Sequence, residues 1–372
     1  MTATVGLGTV FREWGRIGCV GFGGPPAHIA LLRKLCVDDR RWLDAQEFED
    51  AIAACNLLPG PASTQLAIFT AWRVRGRAGA VVGGLAFIVP GLIAILVLAM
   101  LFLEGEPPLW VTAAGAGAGS AVAAVAVQAG WSLVRPGWQR APARSRWLVY
   151  LLLGAAGAAT IGPWLVLLLI ACGIAEILFQ RVPAGRRPPL AALPLIATTG
   201  FAGSVAWMAF KVGALSYGGG FVIIPLMQAD AVDHYRWMTS AQFLNAVALG
   251  QITPGPVVHT VAVVGYAAAG LAGALLAAAV AFAPSFAFIL LGAHRFDRLR
   301  ANRRIRAFLD GAGPGAVGAI LGSAVPLALA LAEWWQYAVL AGSLVLMLAF
   351  RRGPVLTLLS AAAVGVVVVL SR

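Results

Sequence analysis

Charged residues cluster along this chain, and long apolar stretches run between the clusters. No Asp, Glu, Lys or Arg occurs from Ala78 to Leu103, from Pro107 to Val134 or from Trp147 to Ala175, and the longest such run extends from Trp237 to His294. About 20 apolar residues carry a helix across the hydrocarbon core of a membrane, so several of these runs fit one span and the last fits two. Strand-type alternation is absent, and in lipid the backbone must satisfy its own hydrogen bonds, so the spans are predicted as helices. The pattern gives six apolar segments in the first half, a to f, near 8–36, 48–72, 78–103, 107–134, 147–161 and 163–180. Six more, a′ to f′, lie near 204–232, 242–268, 270–293, 308–331, 334–350 and 354–371.

The second set repeats the first. Shifted by 195 residues, Gly18–Gln65 aligns without a gap to Gly213–Thr260, with 15 of 48 positions identical. The matches include Asp38/Asp233, Arg41/Arg236, Trp42/Trp237 and Phe48/Phe243, and Pro59-Gly60-Pro61 with Pro254-Gly255-Pro256. Pro90 meets Pro284 further on. The expected organisation is an N-terminal repeat over 1–180, an Arg/Pro-rich linker over 181–195 and a C-terminal repeat over 196–372.

Loop charge then orients the halves. The loop after c, Glu104–Pro108, has no positive residue, whereas the loop after c′ holds Arg295, Arg298, Arg300, Arg303, Arg304 and Arg306. After d come Arg135, Arg140, Arg144 and Arg146, and after d′ only Glu333. Cytoplasmic loops carry the excess of Lys and Arg, so equivalent loops lie on opposite sides. The predicted fold class is an all-α polytopic membrane protein of two inverted-topology repeats with broken or re-entrant helices. Opposite orientation needs an odd number of crossings between equivalent points. The simplest solution makes b and b′ re-entrant at their Pro-Gly-Pro, with a and a′ crossing and both termini outside; an extra span at 190–208 is the alternative.

Composition agrees with the class. The chain is 60% hydrophobic and 11% charged, where a soluble domain carries about a quarter charged residues. The net charge of +12 sits in short Arg-rich loops rather than on a basic face, which argues against nucleic-acid binding. Residues 1–10 lack a basic start, and Arg12, Glu13 and Arg16 interrupt the following stretch, so no cleavable leader is expected. Cys19, Cys36, Cys55 and Cys172 lack metal-ligand spacing and read as apolar packing residues.

The candidate chemistry lies at the helix breaks. Gly21-Phe22-Gly23-Gly24-Pro25-Pro26 in a corresponds to Ser216-Tyr217-Gly218-Gly219-Gly220 in a′, and the two Pro-Gly-Pro runs correspond in b and b′. Proline removes a helix donor, glycine permits unusual backbone angles, and proline favours the first position of a new helix. Each Pro-Gly-Pro thus ends one half-helix and starts another, at Pro61 and Pro256. The new N-terminus offers free N–H groups and the positive end of a dipole, which is an anion site. Ser63 and Thr64, or His259 and Thr260, add side-chain donors, while Asn56 and Gln251 lie three residues before each break.

Lys211 is the only charge from Pro188 to Ala229, and its repeat partner is Arg16. Intramembrane cations are costly, so an equivalent pair suits a dianion near a pseudo-two-fold axis. His28 and His259 follow breaks and suit donation to an anion or carriage of a proton; a satisfied structural histidine is the plain alternative. Glu176, near the end of f, reads as interfacial. No nucleotide loop, zinc spacing or nucleophile triad is visible, so neither an enzyme nor an ATP-driven pump is expected and no cofactor is called for.

These residues resemble the chromate ion transporter (CHR) family in its two-domain, long-chain form. The likeness rests on Gly21 through Ile29, Arg41-Trp42-Leu43, Leu57 through Ser63, Phe210 through Gly213 with Gly218-Gly219-Gly220, and Gln251 through Pro256. It implies gradient-driven export of chromate across the bacterial inner membrane, with resistance as the outcome and sulfate as a structural mimic. Gly21 stands where the family often has Ser or Thr, and Tyr217 where it often has Phe. A carrier of sulfate or another inorganic anion and a passive anion channel are the rival readings. The expected partners are an inorganic oxyanion and the lipid bilayer, and a homodimer is compatible with the sequence. The expected substrate site comprises Arg16, Gly23, Gly24, His28, Asn56, Pro59, Gly60, Pro61 and Ser63, with Lys211, Gly218, Gly219, Gly220, Gln251, Pro254, Gly255, Pro256 and His259 from the second half.

Overall fold

A computed structural model describes residues 5–55, 58, 60–103, 107–160, 164–181, 201–216, 223–292 and 302–372. Among them two series of seven α-helices follow one another. The first is α1 (Leu7–Val20), α2 (Pro25–Arg33), α3 (Ala45–Cys55), α4 (Ala62–Leu103), α5 (Leu109–Arg140), α6 (Arg144–Thr160) and α7 (Leu165–Phe179). The second is α8 (Phe201–Leu215), α9 (Ile223–Gln228), α10 (Ser240–Ile252), α11 (Thr260–Gly292), α12 (Arg303–Leu329), α13 (Trp334–Leu348) and α14 (Pro354–Leu370).

The repeat extends to backbone angles. A wide helical turn follows α2 at Lys34–Asp39 and α9 at Ala229–His234. Arg41 and Arg236 then take φ of 52° and 54°, unusual values for non-glycine residues. Within α4 the chain breaks at Arg75-Gly76, with Gly76 at φ 65°, ψ −155°. Within α11 it breaks at Ala269-Gly270, with Gly270 at φ 58°, ψ −153°. Only glycine adopts this region freely. Each break reverses the chain, because a Cβ on Gly79 would strike the Ala71 carbonyl and one on Gly273 the Gly265 carbonyl. Thus α4 is a half-length arm, 62–74, folded against a long arm, 77–103, and α11 is built likewise.

The first segment of each half also folds back. Trp14 stacks on Trp42 with ring centroids 5.9 Å apart, and Glu13 pairs with Arg40. Helices continuing in one direction would separate these residues by about 30 Å. In the second half Lys211 meets Asp230 in the same way. Segment b closes as a hairpin too, with Glu47 at the start of α3 paired to Arg73 at the end of the short arm. Segments a and a′ are therefore re-entrant rather than crossing, which corrects the sequence expectation. Gly23 and Gly24, at φ 97° and 71°, reverse the chain where helix-compatible angles would only kink it.

The spans are the long arms and the helices after them. Residues 77–103 extend about 40 Å, enough for the roughly 30 Å core. Their exposed face is an apolar stripe recurring every four residues, Val81, Leu85, Val89, Ile93, Val97 and Leu101, as a lipid-facing helix requires. The two halves interleave. Helix α5 packs against α13 and α14, and α12 packs against α6 and α7. Glycines allow these close approaches: a Cβ on Gly117 would strike the Ala361 carbonyl, and Cβ atoms on Gly318 and Gly322 would strike the Leu151 and Ala155 carbonyls.

With both hairpins entering from one side, the positive-inside rule sets the orientation. Arg33, Lys34, Arg40, Arg41, Arg73, Arg75 and Arg77 share a face with the start of α1 and with Arg135–Arg146 two crossings later. The first-half hairpins enter from the cytoplasm. In the second half the Arg-rich start of α12 is cytoplasmic, so the α8–α11 hairpins enter from the opposite face. Arg372 pairs with Glu333 on that outer side. The end of α7 and the start of α8 thus face opposite sides; residues 182–200 between them, and with them most of the expected linker, lie outside the described residues.

Candidate functional site

The hairpin tips of the two halves meet, and they do so reciprocally. The Gly60 N–H donates to the Ser216 carbonyl at 3.0 Å, and the Gly255 N–H donates to the Gly21 carbonyl at 2.9 Å. Gly60 and Gly255 are repeat equivalents, as are Gly21 and Ser216. Exchanging the halves converts one bond into the other, as a two-fold relation requires. Gly60 and Gly255 have φ of 119° and 93°, which turns their N–H groups across to the other half. The long arms, each with an internal proline, close the sides. A Cβ on Gly60 would lie 3.3 Å from Ser285 Oγ, just after Pro284, and one on Gly91, just after Pro90, would strike the Pro254 carbonyl.

Around the Gly255–Gly21 crossing His28 is fully buried and fully bonded. Its Nε2 lies 2.8 Å from the Gly21 carbonyl and its Nδ1 3.3 Å from Ser63 Oγ. A carbonyl only accepts, so Nε2 carries the proton and the Ser63 hydroxyl donates to Nδ1. The Gly21 carbonyl therefore accepts twice, from His28 and from Gly255. His259, also fully buried, stands edge-on to Phe282 at 5.4 Å, as His28 does to Phe87 at 5.1 Å. Neither ring nitrogen of His259 makes a well-formed hydrogen bond, although the Ile88 carbonyl lies toward the ring. A Cβ on Gly255 would lie 2.9 Å from its Cε1, so the ring lies beside the Gly255–Gly21 crossing.

Other buried polar atoms at the same level lack partners among the described residues. They are Thr64 Oγ1, Ser216 Oγ, Gln251 Nε2 and Ser285 Oγ. Thr64 and His259 are repeat equivalents in the first turn of the second arm of each b hairpin. Such atoms cost about 1–3 kcal/mol each when buried unbonded. Their concentration where the tips meet marks a polar, ligand-ready centre.

The structure gathers Gly23, Gly24, His28, Gly60, Pro61, Ser63, Gln251, Pro254, Gly255, Pro256 and His259 at the tips; Gly24 approaches Val257 across the halves. Asn56, Pro59, Gly218, Gly219 and Gly220 lie outside the described residues. The expected pair of free cations is not formed. Lys211 Nζ sits 2.6 and 2.8 Å from the two oxygens of buried Asp230 and 5.8 Å from the Trp207 ring centre, and Arg16 is exposed on α1. Leu35 occupies the Asp230 position in the first half, so the repeat gave no sign of this ion pair. Ser285 and Gly91 were also missed, although their places after the matched prolines pointed to them. Glu176 is buried and bonded to Arg146, at 2.9 Å through each oxygen, and to Tyr150. An apolar cavity of about 540 Å³ lies beside the tips, lined by Leu58, Leu215, Leu169, Phe288 and Phe308. Its walls suit hydrocarbon rather than an anion.

The chain matches the chromate transporter family over residues 8–177 and 203–366. It is 33% identical over 328 residues to the chromate transport protein of Cupriavidus metallidurans, covering 84% of this chain and 80% of that one. It is 31% identical over 345 residues to the chromate transport protein of Pseudomonas aeruginosa, covering 87% and 82%. An uncharacterized transporter of Methanocaldococcus jannaschii is 27% identical over 353 residues, covering 87% and 85%. No solved structure matches.

Proposed function

The chain belongs to the chromate transporter family, a transporter rather than an enzyme and a multi-pass bacterial membrane protein, and on that premise we propose that it exports chromate across the inner membrane as a gradient-driven carrier. The outcome is chromate resistance. The oxyanion sits between the four hairpin tips, and access to it alternates between the two sides. One observation carries this reading: reciprocal Gly60–Ser216 and Gly255–Gly21 hydrogen bonds join hairpins of both halves around buried polar atoms that have no partner among the described residues. A tetrahedral dianion supplies the missing acceptors. The first turns after Pro61 and Pro256 direct N–H groups and dipole ends toward it. Closure of the centre by backbone bonds favours a carrier over an open channel.

The test is chromate uptake into everted vesicles under separately imposed proton and potential gradients, with sulfate as competitor. The reading predicts uptake that requires a gradient and falls at least tenfold in Gly255→Val, where the ring of His259 blocks the new side chain. Uptake equal to that of vesicles without the protein, or flux that merely runs down its own gradient, would overturn it.

A further inference from the structure

We infer that His259 takes up a proton as the dianion binds, so that oxyanion and proton occupy the centre together; this rests on the transport reading above. A dianion in a dry centre needs positive charge nearby, since uncompensated buried charge is strongly unfavourable. Among the described residues no free cation reaches the tips: Lys211 is committed to Asp230 and Arg16 is exposed. A permanent cation there would also destabilise the empty carrier. A histidine avoids both problems, because it is neutral when the site is empty and cationic when an anion is present.

Of the two histidines, geometry selects His259. His28 has both nitrogens in use, as donor to Gly21 and acceptor from Ser63, and protonation would place an N–H against the Ser63 hydroxyl it now accepts from. His259 has both nitrogens without a well-formed bond among the described residues, and with one N–H turned toward the Ile88 carbonyl its imidazolium would still offer the other N–H to an oxyanion oxygen. Among the described residues around it, Ile88 and Gly91 on α4, Phe282 on α11 and Gly255 in the break present apolar groups or backbone, while α10, which carries the polar Gln251, packs on the same turn. Among the described residues the titratable group facing it is His28. In the first half the equivalent position holds Thr64, which donates and does not titrate. The two-fold centre therefore has one protonatable side and one neutral side. Balance is simple: one proton enters from the aqueous phase with each dianion, bonds to an imidazole nitrogen, and leaves with the anion, so the loaded centre carries one net negative charge.

The experiment measures chromate affinity of the purified full-length protein between about pH 7.5 and 9.5, where chromate is itself dianionic, together with proton uptake on chromate addition in weak buffer. Expected is an affinity that weakens about tenfold per pH unit, with close to one proton taken up per anion bound. His259→Gln and His259→Thr keep a donor, and in them the slope flattens and proton uptake disappears; in His28→Gln the slope persists. The inference is overturned if wild-type protein binds chromate with a flat profile and no proton uptake, or if the slope survives in His259→Gln. The wild-type proton count needs no variant, so a misfolded substitution leaves the test intact. Absence of any chromate binding by wild type would instead defeat the transport reading and this inference with it.

Discussion

Lys211 provides the sharpest separation between a structural and a substrate-binding role. Its ammonium is 15% exposed and Asp230 4%, with Nζ–Oδ separations of 2.6 and 2.8 Å. Removing one member of a pair this buried leaves an uncompensated charge, and such losses run to about 3–5 kcal/mol. Lys211→Met should therefore lower the melting temperature in detergent by roughly 10 °C. Replacing both members tests the cause. Asp230→Leu installs the residue that the first half carries at this position, Leu35, and Lys211→Met keeps the apolar stem against Trp207. Replacing a buried ion pair by apolar residues of similar volume is often neutral. The double variant should then recover to within about 1 kcal/mol of wild type and transport chromate in vesicles. If Lys211 held the anion instead, the double variant would be stable and inactive. A stable single variant, or a double variant as unstable as the single, would refute the ion-pair argument itself.

Three further outcomes follow from the geometry. In a cysteine-free background, Gly6→Cys should label from the same side as Ala143→Cys and opposite to Glu333→Cys; labelling of Gly6→Cys with Glu333→Cys would restore a crossing to segment a. Gly91→Ser should reduce vesicle flux roughly tenfold or more with normal membrane insertion, since its Cβ meets the Pro254 carbonyl and the His259 ring; wild-type flux would show that the long arm does not touch the tip. Gly76→Ala and Gly270→Ala should each destabilise by about 1–3 kcal/mol through backbone angle alone, because open space surrounds both positions. Thermal unfolding of the two single variants and their combination should give additive losses.

The sequence pattern carried the class, the repeat and the position of the breaks, because charge-free length and matched Pro-Gly-Pro runs are local signals. It did not carry the direction of the chain after Gly24. A kink and a reversal use the same Gly-Gly-Pro-Pro letters and differ in the sign of φ, which Trp14–Trp42 stacking and the Glu13–Arg40 pair hold in place from outside the motif. The ion pair was hidden for a related reason. Lys211 looked solitary because charge was counted along the chain, whereas the fold-back brings Asp230, 19 residues later, beside it. The interleaving of α12 with α6 and α7 is also non-local. Its only trace was the spacing of glycines such as Gly311, Gly315, Gly318 and Gly322, which signals close packing without naming the partner.

Rigidity in this protein is divided unequally, and the division bears on how the centre opens. Helices α5, α6, α12 and α14 meet through glycines at distances that admit no side chain, so sliding them would break many contacts at once. Among the described residues two backbone hydrogen bonds join the tips across the halves, each worth about 0.5–1.5 kcal/mol net. Breaking one crossing thus takes little free energy beside the scaffold. The two crossings belong to hairpins that enter from opposite sides, so releasing Gly60 from Ser216 and releasing Gly255 from Gly21 are distinct events. States separated by a few kcal/mol interconvert and respond to ligand. Under the proposed alternating access, the interleaved helices are the fixed frame and the hairpins the moving gates. Amide exchange during gradient-driven chromate uptake should accelerate at Gly60 and Gly255 while residues 111–125 of α5 stay protected. Faster exchange in α5 than at the tips would place the moving part in the frame and defeat this assignment.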